Sequence, residues 1–217
     1  MNYLAHAVPF LDDAYLVAGT GVPDWLSVVD RRVRMRLRRV EPFLGDCDRR
    51  TAAVARGVCQ HLRDDLRFHQ SRAFAELSLG LAVAARDILG GDAGFRPGFL
   101  GHLLVEVLLD ASLAAENPAW VEAYYAALES VDADFVQQVI GRMAARDCPR
   151  LAAMIRGFCR ERILPDYLED AKLLGRLNQV MRRVQLAELP DSFRDFLPEA
   201  RQLVAARKHE LLAGIPA

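Results

Sequence analysis

The chain lacks an excess of charge of either sign. Its 28 basic and 29 acidic residues leave a net charge of -1, so no overall field draws it to nucleic acid or to an anionic membrane, and electrostatic recognition has to be local. Cysteine is sparse: Cys47, Cys59, Cys148 and Cys159 lie far apart with no CxxC pair. That spacing excludes a zinc knuckle and reads as four reduced, mostly buried thiols. Nothing at the start resembles a secretory signal, and a cytoplasmic setting is expected. Long apolar runs are missing too. The longest, residues 103–109, is interrupted by Glu106 and is too short to cross a bilayer, so a membrane-spanning chain is not expected. Nor is there a glycine-rich phosphate loop, a nucleophile elbow or a dinucleotide fingerprint. Gly19-Thr20-Gly21 lacks both the following glycine and the preceding strand, which sets nucleotide-cofactor chemistry aside. Repeats, low-complexity tracts and linkers are also absent.

What remains is an ordinary globular composition, 52% apolar and 26% charged over 217 residues, expected to form one compact domain spanning 1–217. Within it, residues 1–115 hold the chemistry and 116–217 form a helical C-terminal half. Apolar residues recur at helical spacing over 51–75, 72–89, 99–115 and most of the remainder, and no segment keeps a two-residue alternation. Gly90-Gly91, Gly94, Asn117-Pro118, Cys148-Pro149, Leu164-Pro165 and Leu189-Pro190-Asp191-Ser192 punctuate these segments. The expectation is an all-α bundle of about seven to nine helices. Residues 19–25 read as a turn running into a helix whose first turn holds Pro23 and Asp24. Residues 31–39 contain six arginines interleaved with Val33, Met35 and Leu37, a pattern that fits either a helix surface or an extended arm.

Two stripes carry the chemistry. His102, Glu106 and Asp110 recur in steps of four along an otherwise apolar helix. Two carboxylates are costly there unless a cation neutralises them. His61, Asp65 and His69 recur in the same steps on a second helix. On that helix Arg63, Asp64 and Arg67 indicate a wet face, so a plain surface pair is the competing reading of His61 and Asp65. His6 and Asp24 add one imidazole and one carboxylate from apolar surroundings. Four of the five histidines fall in this set; His209, in a charged C-terminal segment, does not. Imidazole and carboxylate without thiolate suit one or two divalent transition ions, manganese, iron or zinc, and the reaction class is hydrolysis by a metal-activated water. The expected ligands are His6, Asp24, His61, Asp65, His69, His102, Glu106 and Asp110. Asp65 and Asp110 are the catalytic candidates, and Arg63, Arg67 and Arg72 the phosphate contacts.

The opening Met1-Asn2-Tyr3-Leu4-Ala5-His6-Ala7 resembles the N-terminus of the acyl carrier protein phosphodiesterases, divergent relatives of the HD-domain metal phosphohydrolases. Gly21-Val22-Pro23-Asp24, then Gly57 with His61 and Asp65, then Glu106 and Asp110 follow in that family's order. The resemblance covers roughly the first 115 residues. It implies an HD-like helical fold, a metal-dependent phosphodiesterase and an acyl carrier protein as partner, whose acidic surface would meet the arginines of 31–39. Two positions depart from the family: His69 stands where a second aspartate is usual, and Ala111 where a histidine is. His102, one turn earlier than Glu106, is expected to supply the missing imidazole. Gly-Val-Pro-Asp at 21–24 with Gly101-His102 and the downstream acids is also similar to the zinc-dependent phospholipase C group. A helical binding or scaffold protein that keeps the fold without turnover is the rival from another class.

Overall fold

The computed structural model describes residues 1–215. It is all-α: 78% of the chain is helical, and the described residues contain no strand. The α-helices are α1 (Tyr3–Ala7), α2 (Ala14–Val29), α3 (Leu37–Val40), α4 (Arg49–Gln70), α5 (Arg72–Ile88), α6 (Pro97–Glu116), α7 (Pro118–Ser130), α8 (Ala133–Ala144), α9 (Leu151–Glu161), α10 (Asp170–Arg183), α11 (Leu197–Ala206) and α12 (Lys208–Leu211). Nine of the twelve have ten residues or more, against the seven to nine helices expected from periodicity. The other three are single turns, too short for a 3.6-residue repeat to register.

Local chemistry explains several boundaries. Asp13, Ser71 and Asp132 accept hydrogen bonds from the amides of Leu16, Phe74 and Phe135, capping α2, α5 and α8. The Ser71 cap also corrects the expected helix over 51–75: α4 stops at Gln70 and α5 begins afresh at Arg72. Gly90 and Gly91 follow α5 with φ of 67° and 77°, a region where a β-carbon is strained. Arg31 and Arg32 form a turn closed by the Val33 amide on the Asp30 carbonyl, and residues 33–36 run on without helix, Val33 and Met35 buried and Arg34 and Arg36 exposed, to the single turn of α3.

The contacts group the chain into two compact units, each discontinuous in sequence. One comprises Met1–Asn2, Arg67–Pro118 and Ile163–Ile215. Its centre is α6, which packs on α5, α11 and the 3-10 turn Leu164–Leu168. A helix enclosed from several sides is apolar all round. By length and composition alone α6 could cross a membrane, but 61% of that stretch is buried inside the protein. Gly101 lets α5 approach closely, since a β-carbon there would lie 2.3 Å from the Ser78 carbonyl oxygen.

The second unit contains Tyr3–Leu66 and Ala119–Arg162. The expected turn at 19–25 is instead the interior of α2, with Pro23 inside the helix. Gly19 serves contact with α4, and Gly21 makes room for the Trp25 ring, rather than chain reversal. A β-carbon on Gly19 would lie 2.4 Å from the Val54 carbonyl oxygen, and one on Gly57 would lie 2.1 Å from that of Leu16. The two backbones therefore meet almost directly. Tyr3, Trp25, Tyr125 and Phe158 form a buried aromatic cluster, with Phe158 4.6 Å from Tyr3 and 5.5 Å from Trp25 between ring centroids. Each such pair contributes about 0.5–1.5 kcal/mol beyond area burial. Tyr3 thereby anchors α1, and His6 sits one turn further on.

Candidate metal centre

Of the eight ligands expected from the sequence, six fall into two groups of three, His6 with His61 and Asp65, and His69 with His102 and Glu106. In each group one nitrogen or oxygen per residue lies within 4.8 Å of the others. Asp24 and Asp110 belong to neither. Asp24 is half-buried inside α2, and Asp110 is buried in α6. For the two stripes the physical reason is helical pitch. At 3.6 residues per turn, each step of four advances the direction by about 40°, so the third member of a stripe points about 80° away from the first. His61 and Asp65 stay together while His69 turns elsewhere; His102 and Glu106 stay together while Asp110 turns away.

The first group is almost enclosed, with His6 1% and His61 2% exposed. Their rings stack with centroids 4.1 Å apart. His61 Nδ1 lies 2.8 Å from the Thr20 carbonyl oxygen. A carbonyl can only accept, so Nδ1 carries the proton and Nε2 presents a lone pair. His6 Nδ1 faces Asp64 Oδ2 at 3.5 Å, and His6 Nε2 faces Asp65 Oδ1 at 3.4 Å. His61 Nε2 faces the other oxygen of Asp65 at 3.5 Å. Both Nε2 atoms thus converge on one carboxylate.

Neither ring nitrogen of His6 makes a hydrogen bond of good geometry, although both are buried. Such orphaned polar atoms are costly unless something else satisfies them. Metal bonds of about 2.0–2.2 Å at tetrahedral angles place donor atoms roughly 3.3–3.6 Å apart, which the two Nε2 to carboxylate distances match. Burial pushes the Asp65 carboxyl up, but the electrostatic attraction of the His6 and His61 rings facing it outweighs this and holds the group well below the usual carboxylate range. The donor set fits a divalent ion.

Asp64 is the residue that the sequence reading missed. Expected on a wet face, it is 1% exposed and accepts a hydrogen bond from Gln60 Nε2 at 2.7 Å. Its place was legible in one respect: it lies seven residues after Gly57, two turns along the side of α4 that meets α2. A buried carboxylate behind a histidine Nδ1 fixes both tautomer and ring orientation.

In the second group, His69 Nε2 and His102 Nε2 lie 3.1 and 3.3 Å from the same oxygen of Glu106. The Met1 ammonium reaches that oxygen at 3.1 Å. Burial opposes ionisation of Glu106, but His102, His69 and the ammonium outweigh it and keep the carboxyl below its ordinary range. The expected phosphate contacts are engaged elsewhere. Arg63 pairs with Glu41, Arg67 donates to the Gly214 carbonyl, and Arg72 pairs with Glu76 one turn on. Within 31–39, Arg32 pairs with Asp30 and Arg39 donates to the Ala144 carbonyl.

No family model, curated protein or solved structure matches this chain.

Proposed function

We propose that the chain is a metal-dependent hydrolase acting on a phosphodiester, with His6, His61 and Asp65 as the ligands of its reactive ion. The observation that carries this reading is orientation. His61 directs Nδ1 to the Thr20 carbonyl at 2.8 Å, His6 Nδ1 faces Asp64 at 3.5 Å, and both rings turn Nε2 to Asp65. Two imidazoles and one carboxylate suit zinc, iron or manganese, and three protein ligands leave positions open for water and substrate. When bound there, such an ion supplies Lewis acidity toward a phosphoryl oxygen and an activated water at neutral pH. The chain's own residues do the rest. The Thr20 carbonyl holds the His61 ring, Asp64 lies behind His6, and the 31% exposed side chain of Asp65 leaves the group open to a substrate.

The substrate class follows from the resemblance to the acyl carrier protein phosphodiesterases, in which phosphopantetheine is the group removed. A carrier protein with an acidic surface would meet the segment 31–38. There Arg31, Arg34, Arg36 and Arg38 are exposed, and their positive charge would steer association.

Turnover of bis(p-nitrophenyl) phosphate with added manganese or zinc tests the reading. Activity is expected in the wild type, lost in Asp65→Asn and retained in His209→Ala. Wild-type protein that takes up no ion after reconstitution would sink the proposal. Equal turnover in wild type and Asp65→Asn would sink it too. Metal uptake with no hydrolysis of any phosphodiester would make the chain a binding protein instead.

A further inference from the structure

The geometry points to a second, separate cation site on His69, His102 and Glu106, built wholly within the unit that contains α5 and α6, whereas His6, His61 and Asp65 belong to the other. We infer that it takes a borderline divalent ion such as zinc or cobalt(II), and that it fills whether or not the first group is intact. Its donors are already arranged. The two Nε2 atoms lie 3.1 and 3.3 Å from Glu106 Oε1, within the roughly 2.8–3.6 Å expected between donor atoms of an octahedral or tetrahedral ion with bonds of about 2.0–2.2 Å.

The arrangement without an ion is crowded. Both imidazoles and the Met1 ammonium address one carboxylate oxygen, which offers only about two lone-pair directions. An ion bound by both Nε2 lone pairs and by Oε1 would replace two competing N–H donors with three ligand bonds. The rings are also held in place beforehand. Phe74 packs edge-on against His69 and His102 at 4.8 and 4.9 Å, and the two imidazoles lie 4.8 Å apart. Side-chain exposures of 32% for His69 and 42% for His102 let ions enter from solvent and let water complete the shell.

The test uses full-length Asp65→Asn protein, in which the first group lacks its carboxylate, titrated calorimetrically with zinc chloride and, separately, with cobalt(II) followed by its visible absorption. One equivalent is expected to bind. Adding His69→Gln or His102→Gln is expected to weaken binding by at least about a hundredfold, since loss of a direct ligand should cost no less than loss of an outer-shell partner. Because both histidines are partly exposed, the helical circular dichroism should not change. Absence of binding to Asp65→Asn would overturn the site, as would binding that neither histidine substitution alters. If wild type and Asp65→Asn bind the same single equivalent and His102→Gln loses it, the second site stands while the metal assignment of the first group fails.

Discussion

Replacing Gly57 by alanine should be severely damaging even though alanine is the better helix former. The added β-carbon would lie 2.1 Å from the Leu16 carbonyl oxygen, 2.8 Å from the Gly19 α-carbon and 2.8 Å from the Thr20 amide nitrogen, all backbone atoms of α2. No rotamer change can relieve a clash with backbone, so α2 and α4 must separate by about an ångström to restore ordinary contact. Overpacking of this kind costs about 1–3 kcal/mol, and the absence of any side chain that could move aside puts Gly57 at the upper end. The gain in helix propensity returns about 1 kcal/mol. The net loss is about 2 kcal/mol, or roughly 4–8 °C in Tm for a chain of this size. Separation would also lengthen the 2.8 Å contact between His61 Nδ1 and the Thr20 carbonyl, so zinc affinity at the first group should fall along with stability.

Gly80→Ala is the matched control. Gly80 is exposed in the interior of α5, and a β-carbon there meets nothing within 4 Å. Propensity alone should act, raising stability by about 0.5–1 kcal/mol. Thermal and urea denaturation followed by helical circular dichroism measure both variants. If Gly57→Ala is as stable as wild type, or rises with Gly80→Ala, the close approach of α2 and α4 is not what glycine at 57 serves.

Two further expectations are independent of that contact. Asp64→Asn should weaken zinc binding at the first group by about ten- to a hundredfold in calorimetry, because the charged acceptor behind His6 Nδ1 is lost; unchanged affinity would mean that Asp64 does not orient the ring. Asp30 is hydrogen-bonded to Arg32, which lowers its carboxyl from 3.8 to about 2. With the folded value depressed, its contribution to stability is present above about pH 4 and is lost as pH falls through about 2. Carboxyl NMR titration should find the midpoint near 2 in the wild type and near the ordinary value in Arg32→Gln; coincident midpoints would contradict the pairing.

The helices were legible in the sequence because their signal is local. A 3.6-residue recurrence of apolar residues and breaks such as Gly90-Gly91 act within a few residues, and both appear in the structure; the caps Ser71 and Asp132, equally local, were not read. The residue types of the site were legible for a related reason: histidines and acids in apolar surroundings need neutralisation wherever the fold carries them. The sequence misled where a residue's meaning depended on what another element placed beside it. Gly19, Gly21 and Pro23 read as a turn, yet α2 runs through them because α4 lies against Gly19. Asp64, between Arg63 and Asp65, read as solvated, yet it is buried behind His6.

What the amino-acid order determined by itself was therefore the all-α class, several of the breaks between helices and the pool of imidazoles and carboxylates from which a site could be assembled. Only the tertiary structure decided which of them meet. Steps of four drift around a helix by about 40° each, so partners were selected by the direction from which neighbouring helices approach. That direction is set by packing among residues distant in the chain, and no spacing within a single helix encodes it.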